Sequence, residues 1–291
     1  MPSVGQWIDR SSRSLERSSV PEPRANAEFL VAHVLGKNRL DSFLMKDAPL
    51  SPARAALLKK LIARRRRRIP LGYVLGSQEF LDIKINVDER VLIPRPETEE
   101  LFEAACAPYA GGAPPPRRIL DIATGSGALA IALAKRFPSA LITATDINSR
   151  ALQLARSNAR RHGVCDRIAF LKEDALIPRS RTPLQDLVVS NPPYIPSSEI
   201  SKLSPEVRHE PRQALDGGPD GLQMIRAVAQ AAAAALLPRG RLFMEIGSRQ
   251  TTAVRSILRK TGFTAVRVAR DFAGLPRIAQ AKKQKETKGH F

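Results

Sequence analysis

Apolar positions in the first 68 residues recur at close to helical spacing. Ala25, Ala27, Phe29, Leu30, Ala32, His33 and Leu35 share one period, followed by Asp41 to Met45 and Ser51 to Arg68. This pattern predicts a small helical bundle from about Gly5 to Arg68, with Ser51 as an N-cap and Pro52 at the first helical position. Between Pro70 and Pro94 the texture changes: Phe80, Ile83, Ile85 and Val87 are separated by polar or charged positions, which predicts strands and a hairpin. From Glu97 a helix carrying Leu101, Phe102, Ala105 and Cys106 runs into Gly111-Gly112-Ala113-Pro114-Pro115-Pro116, a stretch only a loop can accommodate.

Beyond that loop, strand patterns alternate with helical ones. Strands are predicted at Arg118 to Ile122, Ala140 to Thr145, Ile168 to Leu171, Leu187 to Ser190, Leu242 to Ile246 and Ala265 to Val268. Helices are predicted near Ala128 to Phe137, Arg150 to His162, Leu222 to Leu237 and Gln250 to Lys260. Such alternation implies an α/β domain whose mainly parallel sheet is covered by helices on both faces. The longest apolar stretch, Ala227 to Leu237, is broken by Gln230 and falls short of the ~20 residues a membrane span needs. The first residues lack the apolar core of a signal peptide, so a cytoplasmic protein without a membrane partner is expected.

Charge changes the picture more than overall composition does. A net charge of +19 and a pI near 10.8 favour polyanionic partners. Residues 1 to 75 hold 15 Lys and Arg against 6 Asp and Glu, so about half the excess sits in the first quarter of the chain. The run Arg64 to Arg68 reads either as the solvated C-terminal end of a helix or as a binding patch. Lys282 to Phe291 reads as a basic, fraying tail. Cys106 and Cys165 are far apart, and His33, His162, His209 and His290 are scattered, so a disulfide framework, a metal site and a His-based relay are not expected.

Two constellations carry candidate chemistry. Asn191-Pro192-Pro193-Tyr194 follows the apolar strand Asp186 to Ser190, and an Asn at the end of a parallel strand projects into the crevice where open α/β sheets bind ligands. The prolines remove two backbone donors and hold the chain extended, leaving an acceptor-rich corner beside the aromatic face of Tyr194. Such a corner suits a planar NH₂ group: the amide of Gln, or the exocyclic amine of adenine or cytosine.

The second constellation is Asp121-Ile122-Ala123-Thr124-Gly125-Ser126-Gly127, which joins the first strand of the α/β domain to its first helix. Gly125 to Ala130 alone also fits a dinucleotide fingerprint, with Asp146 at ribose-gripping distance downstream. Three neighbours favour S-adenosylmethionine instead. Asp121 would repel a pyrophosphate but accept a bond from a cationic amino group; Asp174, after the third strand, would accept the adenine amine; Asn191 sits where a transferable methyl would emerge.

With these residues in place, the chain closely resembles the HemK/PrmC family, the N5-glutamine methyltransferases of peptide chain release factors. The resemblance covers nearly the whole chain and includes Pro70 to Gly76, Val91 to Glu99, Asn191 to Tyr194, Glu210-Pro211 and Ala214 to Leu222. Arg95-Pro96-Glu97-Thr98 is similar to the release-factor branch. The resemblance implies a small N-terminal helical bundle (1–72) that docks the substrate, a β-hairpin linker (73–94) and a seven-stranded Rossmann-like S-adenosylmethionine-dependent methyltransferase domain (95–291). It implies cofactor positions at Thr124, Gly125, Ser126, Gly127, Ala128, Asp146, Asp174, Ala175 and Asn191, and substrate positions at Asn191, Pro192, Pro193 and Tyr194. Ala123 departs from the Gly common in relatives, and the cationic tail beyond Gln280 has no family role to match.

An amide nitrogen is a poor nucleophile, so orientation is expected to carry the catalysis. Asn191 Oδ1 and the Pro192 carbonyl are expected to accept the two N–H bonds of the substrate amide while Tyr194 packs on its plane. Two rivals follow from the same residues. A nucleic-acid amino-methyltransferase fits the charge but lacks an obvious target-recognition domain, and an inactive nucleic-acid- or ribosome-binding protein would not need the intact corner. Transient nucleic-acid or ribosome association through the basic surface is compatible with either enzyme.

Overall fold

A computed structural model describes residues 1–177 and 184–284. Contacts divide the chain into two compact units: residues 1–77 with 204–209, and residues 78–203 with 210–291. The basic tail predicted from Lys282 lies outside the described residues from position 285 onward.

The first unit is built from helices α1 (Val4–Glu16), α2 (Pro23–Leu35), α3 (Arg39–Leu44), α4 (Pro52–Arg66) and α5 (Leu71–Leu75). Ser3 and Gln6 close a capping box on α1, and the Ser51 hydroxyl accepts the Arg54 N–H at the start of α4. Their apolar faces meet in a core that includes Val4, Leu15, Leu30, Val31 and Leu58. Residues 71–75 were expected to be extended and are helical instead: Gly76, at φ 75, supplies the left-handed residue that stops the turn.

The arginine run is neither of the two things expected of it as a whole. Arg65 is only 3% exposed. Its Nε donates to Asn26 Oδ1 at 2.8 Å, Nη1 to the Ile69 carbonyl at 3.2 Å, and Nη2 to Glu206 Oε1 at 2.9 Å. Arg68 reaches both oxygens of the same carboxylate, at 2.6 and 2.7 Å. Burial works against Glu206 ionising, yet the hydrogen bonds from Arg68 and Arg65 hold it down at about 2.

The hairpin of β1 (Ser77–Phe80) and β2 (Ile83–Asn86) follows, and the second unit, from Gln78 onward, continues with α6 (Pro96–Ala110). Next come β3 (Arg118–Ile122), α7 (Ala128–Arg136), β4 (Leu141–Asp146), α8 (Ser149–Arg161), β5 (Ile168–Lys172) and β6 (Gln185–Ser190). The remainder is α9 (Gln223–Ala235), β7 (Leu236–Glu245), α10 (Thr251–Lys260), β8 (Phe263–Arg270) and β9 (Pro276–Lys283).

Seven strands form one sheet in the order β5-β4-β3-β6-β7-β9-β8, parallel from β5 through β7, with β9 antiparallel to both β7 and β8. The seven-stranded Rossmann-like fold is therefore present, and the seventh strand is one the hydrophobic pattern did not predict. Lys282 and Lys283, read as tail, belong to it. Leu236 and Leu237, read as the end of a helix, begin β7. Strand order reverses between β3 and β6, so the crevice beyond their carboxyl ends is the expected ligand position.

Candidate cofactor and amide site

β3 delivers its last residues directly into a tight turn. Ala123, Gly125 and Gly127 have φ of 61°, 55° and 80°. At Gly127 a Cβ would stand 3.0 Å from the Ala155 Cβ on α8, so this glycine also sets how closely the turn and α8 pack. Ala123 takes the same left-handed conformation with a Cβ, which costs about 1 kcal/mol.

Three bonds fix the turn. Thr124 N donates to the Thr145 carbonyl at 2.9 Å, Gly125 N donates to Asp146 Oδ2 at 2.9 Å, and Thr124 Oγ1 donates to Asp121 Oδ2 at 2.6 Å. Asp121 is 1% exposed, and burial pushes its carboxyl up to about 7 despite the Thr124 bond. Burial also raises Asp146, whose other oxygen accepts the Asn148 N–H at 2.8 Å. Asp174 caps its own turn by accepting the Leu176 N–H at 2.9 Å.

These groups surround a cavity of about 310 Å³, within the range of small-molecule sites. Asp121, Thr124, Gly125, Ser126, Ala128, Asp146, Asp174, Ala175, Asn191 and Pro193 all line it. Gly127, Pro192 and Tyr194 do not.

The corner after β6 is tied on several sides. Asn191 Nδ2 donates to Thr98 Oγ1 at 2.8 Å, and Thr98 Oγ1 donates to Glu245 Oε2 at 2.8 Å. Tyr194 OH donates to Glu245 Oε1 at 3.0 Å, and its side chain packs against the cluster containing Ile225, Met244 and Ile246. Tyr194 thus braces the corner from outside the cavity wall. Among the described residues, neither Asn191 Oδ1 nor the Pro192 carbonyl has a hydrogen-bond partner.

Several residues of this site had no predicted role. Gly217 passes so close that a Cβ would lie 2.8 Å from Tyr194 Cα, and Gly217 N donates to the Ile195 carbonyl at 2.8 Å. Gln250 Nε2 holds the carbonyls of Tyr194 and Gly221 at 2.9 and 3.0 Å. Buried Glu210 accepts the Ile93 N–H at 3.0 Å and pairs with Arg95, fastening the segment at 91–95 to the one that begins at 210. Glu245 is 1% exposed; burial raises its pKa, and the hydrogen bonds from Thr98 and Tyr194, which favour the ionised form, oppose that rise. A lone acid in the apolar run Leu242 to Ile246 was the available signal for it.

The family profile described as PrmC N-terminal domain matches residues 6–76, and that described as Methyltransferase small domain matches residues 112–218. A methyltransferase from Pyrococcus furiosus shares the fold at a TM-score of 0.53 and 17% identity, over 80% of this chain and 100% of that one. The Thermus thermophilus 16S rRNA N2 G1207 methyltransferase, solved with AdoMet and guanosine, matches at 0.52 and 18% identity, over 72% of this chain and 50% of that one. Sheet order and ligand crevice together define a methyltransferase fold.

Full-length relatives narrow the class. The release factor glutamine methyltransferase of Geobacter sulfurreducens is 40% identical over 94% of this chain and 95% of its own length. The human MTRF1L release factor glutamine methyltransferase is 35% identical over 92% and 84%. The chain belongs to the release factor glutamine methyltransferase family.

Proposed function

We propose that this protein transfers a methyl group from S-adenosylmethionine to the side-chain amide nitrogen, N5, of the glutamine in the Gly-Gly-Gln motif of peptide chain release factors. The observation that supports it most directly is the pair of unpartnered acceptors, Asn191 Oδ1 and the Pro192 carbonyl, at a corner whose Asn lines the cavity. An amide NH₂ carries two donors to match.

The cavity suits the cofactor chemically. Asp121 is a buried carboxylate that accepts from the Thr124 hydroxyl and the Ala130 backbone and has no cationic partner among the described residues, which leaves it ready for a cationic amino group. Asp146 would accept from ribose hydroxyls and Asp174 from the adenine amine. Thr124, Gly125, Ser126, Gly127, Ala128 and Ala175 shape the turn and the wall. S-adenosylmethionine supplies an electrophilic methyl on a sulfonium. Asn191 and Pro192 orient the amide, and Pro193 limits its approach. Alignment of this kind is worth several kcal/mol, more than a weak base would add. An N-alkylated amide sheds its extra proton to water readily.

In this reading residues 1–72 dock the body of the release factor, 73–94 link, and 95–291 catalyse, in the cytoplasm. Transient contact with RNA or the ribosome falls to a groove lined by Arg239, Arg241, Lys282 and Lys283 beside Tyr109. Incubation of release factor with enzyme and labelled cofactor, followed by mass spectrometry, tests the activity. Label is expected on the Gly-Gly-Gln glutamine, more on whole factor than on a loop peptide. Label on DNA with none on protein would favour the nucleic-acid rival.

A further inference from the structure

We propose that buried Glu245 and Thr98 form a relay that sets which way the Asn191 carboxamide faces, making both positioning residues for the proposed amide methylation. Asn191 sits at the end of β6 with its carboxamide beside α6, and a carboxamide can present either its NH₂ or its oxygen to a neighbour. Selecting the substrate requires the oxygen to face the incoming amide. If the carboxamide were reversed, it would offer N–H groups to N–H groups.

The choice is made two residues away. Glu245 is acceptor-only when ionised, and its two oxygens are taken by two hydroxyls, Thr98 Oγ1 at 2.8 Å and Tyr194 OH at 3.0 Å. Thr98 has a single hydroxyl proton, which is committed to Glu245. Toward Asn191 it can therefore only accept, so it receives Nδ2 at 2.8 Å. With Nδ2 directed to Thr98, Oδ1 is left for the substrate. Thr98 and Glu245 are 6% and 1% exposed, so water does not compete readily for these bonds. Tyr194 contributes by holding the other carboxylate oxygen, which gives the corner's aromatic residue a role that needs no contact with substrate.

Two nearly isosteric substitutions separate this relay from simple packing. Thr98→Val removes the hydroxyl that accepts from Asn191. Glu245→Gln replaces one of the two acceptor oxygens with an NH₂ donor; wherever that donor faces Thr98, the threonine proton is freed to bind Asn191 Oδ1 and turn the carboxamide around. Each is expected to lower kcat by about 100-fold, the scale of a lost alignment, with cofactor affinity within about threefold of the parent protein. Thr98→Ser keeps the hydroxyl and should restore turnover to within about threefold.

A readout independent of turnover is the side-chain amide signal of Asn191 in the ¹⁵N spectrum, assigned by its disappearance in Asn191→Ala. In the parent protein its two protons should be resolved and slow to exchange, and in Thr98→Val that protection should be lost. Parent-level turnover in folded Thr98→Val, or an unchanged Asn191 amide signal, would overturn the relay. Absence of glutamine methylation by the parent protein would instead strike the functional reading, leaving the amide signal to judge the relay.

Discussion

Glu206 and Asp121 are both carboxylates withdrawn from water, and the protein treats them in opposite ways. Glu206 in the helical unit meets Arg65 and Arg68 and is held at about 2. Asp121 in the α/β unit has a hydroxyl for its side-chain partner and is pushed up to about 7 by burial. In the first, the carboxylate is answered by cations within the chain, which produces structure. In the second, a carboxylate is desolvated beside a cavity with no cation against it, which fits the binding role proposed for it. Perturbation alone does not separate binding groups from structural ones; the identity of the partner does.

The largest expected effect tests the cavity side. Asn191→Ala should lower methyl incorporation into release factor by about a thousandfold while thermal unfolding stays that of the parent, because only the orientation of the reacting amide is lost. Near-normal turnover in a folded variant would break the assignment of the corner.

The clasp is tested next. Glu206→Gln leaves Arg65 buried without a countercharge and should destabilise the helical unit by about 3 kcal/mol, seen as faster hydrogen exchange in α2 and α4 with cofactor binding intact. Glu206 has a folded pKa below its unfolded value, so its stabilisation is present above about pH 5 and disappears as pH falls toward 2. Amide protection in this unit that does not change between pH 5 and 2.5 would contradict that.

Asp121 has the reverse sign. Its folded pKa lies above the unfolded value near 3.9, so the empty protein loses stability as pH rises from about 4 through 7. A cationic ligand favours the ionised form. Calorimetry should therefore show S-adenosylmethionine affinity weakening by up to about tenfold per pH unit below 7. Asp121→Asn should bind weakly with a flat profile and melt higher than the parent at pH 8. If its binding profile kept the parent's slope, another group would own the titration.

Ala123→Gly should have the smallest effect. Relief of the left-handed strain at φ 61 would stabilise the α/β unit by about 1 kcal/mol, read from the midpoint of urea unfolding. No gain would mean that the Ala methyl makes offsetting contacts in the turn.

The linear order of residues determined a good deal of this protein. Period-2 and period-3.6 patterns marked the helical bundle, the alternating strands and helices, and the loops at Gly125 and Asn191 that line the cavity, because those signals are local and each element buries one face. Strand β9 was not legible. Pro276-Arg-Ile-Ala-Gln-Ala-Lys-Lys has little β-propensity of its own, and its pairing with β7 on one side and β8 on the other comes from the sheet it enters. The two readings of the arginine run missed Arg65 for a similar reason: its carboxylate partner is 141 residues away. Likewise, sequence could nominate Asn191 but not say which way its carboxamide faces. That was decided by Thr98, 93 residues before it, and by Glu245 beyond, since hydrogen-bond direction depends on which groups share a buried space and not on their order along the chain.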